Sequence, residues 1–334
     1  MRVLAAVDKF RGTATAHEVA RAIADACWTT GHECIELPMA DGGEGTLAAL
    51  GGANRTLQVQ GPLGAPVEAA WRFHRGTAVI EMALASGLQL IGGAEHNDVI
   101  AASTIGTGQL IDAALNLGAD RIIVCLGGSA TTDGGLGAVQ AITVPARLKR
   151  VEFLVACDVT TNFLDAAEIF AAQKGATATQ IKFLTTRLAG TADLYRQRFN
   201  VDVTRVAGGG AAGGLAGGLF ALGATLLPGF DIVAEEVGLD EAIESCDVII
   251  TGEGRLDGTS FDGKVVGSIA ALGKQQRKTV HAVCGDVHAS AQTHLKRLSV
   301  SATSLRETFG DDGLTATTRC VEQAAAQWLA AREA

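Results

Sequence analysis

Glycine is spread unevenly along this chain: its 42 residues among 334, well above the usual ~7%, gather in clusters where apolar runs end. The clusters are "ADGGEGT", "STIGTG", "LGGSATTDGG", "AGGGAAGGLAGG" and "TGEGRLDG". In an open parallel sheet, ligands bind beyond the carboxyl ends of the strands, where loops meet helix N-termini and backbone N–H groups hold anions. The clusters therefore point to an α/β protein whose glycine-rich loops do its chemistry.

The runs between them agree. "RVLAAVD" reads as a buried parallel strand, and Thr15 and Glu18 are spaced as a capping box for a helix with Val19, Ile23 and Cys27 on one face. "ECIELPM" is the next strand. Near the C-terminus "DVIITGE", "TVHAVCGD" and "VSATSL" read as strands, with helices in "VVGSIAALG" and "TRCVEQAAAQWLAAR". Aromatics make up only 4% against 48% hydrophobic residues, so the core is built from Ala, Val, Leu and Ile, which also favours α/β. The length suits about two domains. The expectation is a flavodoxin-like parallel sheet assembled from residues 1–54 and 235–334, with an inserted α/β domain over 55–234. The insert's strongest elements are "TAVIEMA", "GQLIDAALNLG", "RIIVCLGG" and "EFLVACD".

Several function classes drop out. A net charge of -9 and a pI near 5.3 argue against a nucleic-acid footprint. The seven cysteines form no C-x-x-C pair and read as reduced core residues of a cytoplasmic protein. No signal peptide opens the chain and no apolar run approaches ~18 residues, so no membrane is expected. The histidines show no metal spacing and read mostly as surface residues, no G-x-S-x-G occurs, and no G-x-G-x-x-G follows the first strand; zinc chemistry, Ser-His hydrolysis and a nicotinamide oxidoreductase are poor fits.

Asp41 and Glu44 in "MADGGEGT" either cap a helix beginning near Thr46 or join Asp133 of "ATTDGG" in positioning hydrated Mg²⁺ or in accepting a proton from a substrate hydroxyl. "GGSATTDGG" offers the hydroxyls of Ser129, Thr131 and Thr132, with Gly127, Gly128, Gly134 and Gly135 allowing close approach to a phosphate or carboxylate. Lys9 and Arg11 flank a helix start and suit an anion. "GTSFDGKV" imitates a phosphate-binding loop until Val265 replaces the required hydroxyl residue, which leaves Lys264 as a phosphate contact.

Together "VDKFRGTATAHEVA", "MADGGEGT", "GPLGAPVEA", "AVIEMALASGL", "TIGTGQLIDAAL", "GGSATTDGG", "VACDVT", "FAAQKGAT", "GAAGGLAGGL" and "VIITGEGRLDG-TSFDGK" run in order through nearly the whole chain and resemble the bacterial glycerate kinase family. The resemblance implies ATP- and Mg²⁺-dependent phosphorylation of D-glycerate to 2-phosphoglycerate. It makes Asp41, Asp133 and Lys9 catalytic, with Asp41, Glu44 and Asp133 around the metal. Binding of substrate or nucleotide falls to Asp8, Arg11, Glu44, Ser103, Thr104, Thr107, Gly127, Gly128, Ser129, Thr131, Asp158, Lys174, Gly209, Glu253 and Lys264. Two segments, around Thr143 and after Asp158, are shorter than the family pattern, and they motivate a rival expectation of a non-catalytic sugar-acid binder.

Overall fold

The computed structural model describes residues 1–333. In chain order, β1 (Arg2–Val7) and β2 (Glu33–Pro38) come first. They are followed by β3 (Arg55–Gln60), β4 (Pro66–His74), β5 (Thr77–Glu81), β6 (Arg121–Cys125), β7 (Glu152–Ala156) and β8 (Thr225–Leu227). β9 (Val248–Leu256), β10 (Thr279–Val287) and β11 (Ser301–Ser304) complete the set.

β1 is shielded from solvent from Val3 to Val7, which a strand achieves only inside a sheet covered on both faces. It pairs in parallel with β2 on one side and β9 on the other, and the full order is β11-β10-β9-β1-β2, all parallel. Counting only these five strands, that is the flavodoxin-like order, with its switch point between β1 and β9. Alternation decides which residues meet which helix. Val3, Ala5, Val7, Val248 and Ile250 face Val19, Ile23 and Cys27 of the helix Ala16–Thr29 and Val321, Ala325 and Leu329 of the helix Thr317–Glu333. Thr15 and Glu18 form the expected capping box.

The chain divides into two compact units, residues 1–41 with 230–334, and residues 42–229. Residues 42–54, placed by the sequence reading with the two chain ends, pack instead with the inserted unit. The reason is local: the short helix Thr46–Ala49 lies against β5, and Leu47 N–H donates to the buried Glu81 carboxylate at 2.7 Å. The inserted sheet runs β3-β4-β5-β6-β7-β8, with β3, β4 and β5 antiparallel neighbours and the rest parallel. β3, β4, β8 and the long helix Ala178–Phe199 were not anticipated. Among the described residues, no helix is long and apolar enough to cross a membrane.

Candidate functional site

Each unit carries a cavity at the carboxyl ends of its parallel strands. In the end-built unit it measures about 330 Å³. Asp8 follows β1, Asp41 follows β2, Glu253 and Gly254 lie on β9, and Gly285 lies on β10, so the cavity opens at the switch point. Lys9, Arg11 and Lys264 complete a wall in which cations face carboxylates, with Lys9 Nζ 3.8 Å from Asp8 Oδ1. Six sequence-predicted residues are thus brought together here. Arg255, Phe10, Thr13, Gly313 and Leu314 join them without having been predicted; Arg255 sits within the quoted "TGEGRLDG" and its signal was available.

Burial sets the charge states. Desolvation pushes the Asp8 carboxyl up to about 6, against the pull of Lys9 and with the help of neighbouring Asp41. Glu253 is pushed up to about 7, again mainly by burial, and its Oε1 is buried with no hydrogen-bond partner. An unpaired buried carboxylate oxygen is costly to hold, so its presence in a cavity marks a place that receives a proton or a cationic or hydrogen-bonding ligand.

The structure also settles how Asp41 and Glu44 relate to the helix at Thr46. That helix has four residues, its N-cap is Gly45 in the left-handed region, and no side chain caps it. Asp41 lines the cavity instead, while Glu44 belongs to the inserted unit and lines neither cavity. Lys9 and Arg11 do not flank a helix start as expected. Arg11 lies in a turn closed by the Phe10–Ala14 bridge, Lys9 just precedes that turn, and the helix beyond it is sealed by its own capping box. Lys264 stands at the N-cap of the helix Val265–Gln275.

The second cavity, about 410 Å³, lies in the inserted unit. Leu88, Leu126, Val159, Phe170, Ala211 and Ala212 give it apolar walls, and Gly127, Gly128, Ser129, Asp158 and Lys174 supply its polar side. Gln173 and the apolar set were not predicted, because apolar lining has no sequence signature distinct from core. Ala212 is held at φ 50, a conformation costly for a residue with a Cβ. The neighbouring Gly213 is obligatory, since a Cβ there would come within 2.0 Å of the Thr131 carbonyl.

Asp133 is held by its own turn. Its Oδ2 accepts from Thr104 N (2.9 Å), Thr104 Oγ1 (2.8 Å), Gly137 N (3.2 Å) and Ser103 Oγ (3.5 Å), and its Oδ1 from Gly135 N (3.0 Å). Buried and hydrogen-bonded through both oxygens, it staples its own turn to the start of the helix Ile105–Asn116. Ser103 and Thr104 are its partners and line neither cavity. Thr107 bonds Ser86 at 2.8 Å inside the core, and Gly209 is fixed by backbone bonds to Val206 and Gly217. Among the described residues, no group of three or more His, Cys, Asp or Glu side chains is arranged to hold a metal.

A profile of the glycerate kinase family matches residues 3–147 and 142–331. The chain belongs to the glycerate kinase family. It is 38% identical over 327 residues to the Glycerate 2-kinase of Escherichia coli (strain K12), covering 86% of each chain. It is 36% identical to the Glycerate kinase of Bacillus subtilis (strain 168), covering 86% of this chain and 85% of that one. A crystal structure of a proposed glycerate kinase 2 from Salmonella typhimurium LT2 superposes with a TM-score of 0.85 at 33% identity, over 100% of this chain and 98% of that one. The fold is therefore that of a glycerate kinase family member.

Proposed function

We propose that this glycerate kinase family member transfers the γ-phosphoryl group of ATP to the 2-hydroxyl of D-glycerate, giving 2-phosphoglycerate and ADP. The observation that carries the reading is the cavity at the β1–β9 switch point, where Asp41, Asp8 and Glu253 share a wall with Lys9, Arg11 and Lys264. A small hydroxy acid needs cations for its carboxylate and a carboxylate for its hydroxyl proton, and this wall supplies both. Lys9, Arg11 and Lys264 hold the glycerate carboxylate and the charge that develops on the transferred phosphoryl oxygens. Asp41 accepts the hydroxyl proton as the C2 oxygen bonds to the γ-phosphorus and the bridging bond to ADP breaks.

The nucleotide is assigned to the cavity of the inserted unit. Its apolar walls suit a purine, and Gly127, Gly128 and Ser129 suit phosphates approaching the backbone. The oxygen donors Asp8 and Asp41 fit Mg²⁺, which takes one or two carboxylates beside substrate phosphates and needs no three-ligand cage. When bound it neutralises phosphate charge. In this reading Glu44, outside the cavity lining, and Asp133, bonded within its own turn, are not counted among the metal ligands.

A coupled assay of ADP formation from ATP, Mg²⁺ and D-glycerate tests the reading, with phosphorus NMR separating 2- from 3-phosphoglycerate. D-glycerate-dependent ADP release with a 2-phosphate product is expected. Tight glycerate binding without any ADP would replace it with a non-catalytic sugar-acid binder.

A further inference from the structure

The turn from Ala130 to Gly134 is gripped by its carbonyl groups. Asn97 Nδ2 donates to Ala130 O at 2.9 Å, Lys174 Nζ to Thr131 O at 2.6 Å, Arg187 Nη2 to Thr132 O at 2.7 Å, and Tyr195 OH to Gly134 O at 2.9 Å. Asn97 also donates to the Lys174 carbonyl at 2.9 Å, tying two of the grips together. These side chains come from the segment after Ala94–His96, the short turn Ala172–Lys174 and the helix Ala178–Phe199.

Two cations spent on neutral carbonyls are an expensive way to hold a turn. Lys174 is 3% exposed, and burial draws its ammonium down to about 7 although the Asp133 charge opposes this. Arg187 is also lowered by burial. The gain lies on the other side of the peptides. In a trans peptide the C=O and the following N–H point in opposite directions, and among the described residues no peptide bond is cis. Fixing the carbonyls of Ala130, Thr131 and Thr132 therefore turns the N–H groups of Thr131, Thr132 and Asp133 away from the clamp. The hydroxyls of Thr131 and Thr132, fully shielded from solvent, have no hydrogen-bond partner. Thr131 and Thr132 do not line the cavity themselves; the clamp fixes the backbone of the loop that does, and backbone donors on such a loop suit an acceptor-only ligand, an anion. Immediately upstream, Gly127, Gly128 and Ser129 line the apolar-walled cavity, as Lys174 does.

We propose that Asn97, Lys174, Arg187 and Tyr195 are positioning residues that, by fixing the turn Ala130–Gly134, preset residues 127–129 as the phosphate-binding loop for the nucleotide. This rests on the assignment of the inserted unit's cavity to ATP. Arg187 and Tyr195 do not line that cavity and act through the turn.

Calorimetric titration of the full-length protein with ATP and with adenosine tests the clamp. Arg187→Gln, which removes the charge-assisted bonds to the Thr132 and Ile100 carbonyls, is expected to weaken ATP binding at least about tenfold, while adenosine affinity stays within about twofold because adenosine has no phosphate to read the turn. Arg187→Lys should recover part of the loss, and KM for ATP should rise while KM for D-glycerate does not. Tyr195→Phe, which keeps the ring and removes one bond, should shift ATP binding in the same direction by less. A folded Arg187→Gln protein with unchanged ATP affinity, or one that loses ATP and adenosine in parallel, would overturn the clamp. So would a loss confined to D-glycerate. Wild-type protein that binds neither nucleotide nor nucleoside would overturn the ATP assignment itself, a result visible before any variant is made.

Discussion

Asp133 is engaged by Ser103, Thr104, Gly135 and Gly137 within its own turn, whereas Asp41 lines a cavity with four cations, Lys9, Arg11, Arg255 and Lys264. Opposite mutational signatures follow. Asp41→Asn should lower turnover by at least ~10²-fold, the usual worth of general base catalysis, with an unchanged melting temperature, because the helix at Thr46 is capped by Gly45. Wild-type turnover at saturating ATP, Mg²⁺ and D-glycerate would sink the catalytic reading. Asp133→Asn should instead lose stability, about 3 kcal/mol for charge-assisted bonds broken in a buried site, measured as a lower denaturation midpoint; an unshifted midpoint would show that the staple carries little. Glu253 adds a pH signature. Its carboxyl titrates at about 7 when folded, against an ordinary 4.5. Its contribution is thus fully present below pH 4.5 and lost as pH rises through 7. Glu253→Gln should accordingly be more stable than wild type at pH 8 and indistinguishable from it at pH 4. Equal melting temperatures at pH 8 would refute the burial cost.

The strands that build the end-to-end sheet were legible because β1, β9 and β10 are buried runs that end in a carboxylate or glycine, and the capping box at Thr15 marks its helix without help from packing. β3 and β4 were not, since their burial is partial and their polar residues alternate irregularly around the turn at Gly61. The cationic and acidic wall of the site could be read from strand-end motifs, while the apolar lining at Leu88 and Phe170 and the carbonyl clamp could not. Both depend on residues that only tertiary packing brings together. His281, one of the histidines read mostly as surface residues, lies buried on β10. There Nδ1 is 2.8 Å from Ser301 Oγ, Nε2 is 3.2 Å from Thr303 Oγ1, and the ring stacks on Trp328 at 4.6 Å. Burial lowers it from 6.5 to about 4. Its contribution is whole above pH 6.5 and is lost as pH falls toward 4, up to about 3 kcal/mol. A His281→Gln variant should show a flatter stability profile between pH 6.5 and 4. An acid slope as steep as wild type would place the sensitivity elsewhere.

At the scale of the whole chain, each unit owns its core. One cluster runs from Val59 to Ala224 and draws nothing from outside residues 42–229, and the other joins residues 3–27 to residues 248–329. A segment with its own sheet and core folds independently. Residues 42–229 expressed alone should therefore unfold in one cooperative thermal transition and still bind ATP. A chain without a transition by circular dichroism would show that it borrows stability from the flanking segments. The insert also starts and finishes at one spot: a Cβ on Gly42 would fall 2.5 Å from Gly229 Cα. Closing so narrow a neck adds little entropic burden to the host, however many residues it encloses. Evolution could thus have loaded the module as a cassette, and a laboratory could reopen it there, permuting the chain to begin at Gly42 or exchanging the whole module for that of a relative without redesigning the sheet that carries Asp8 and Asp41.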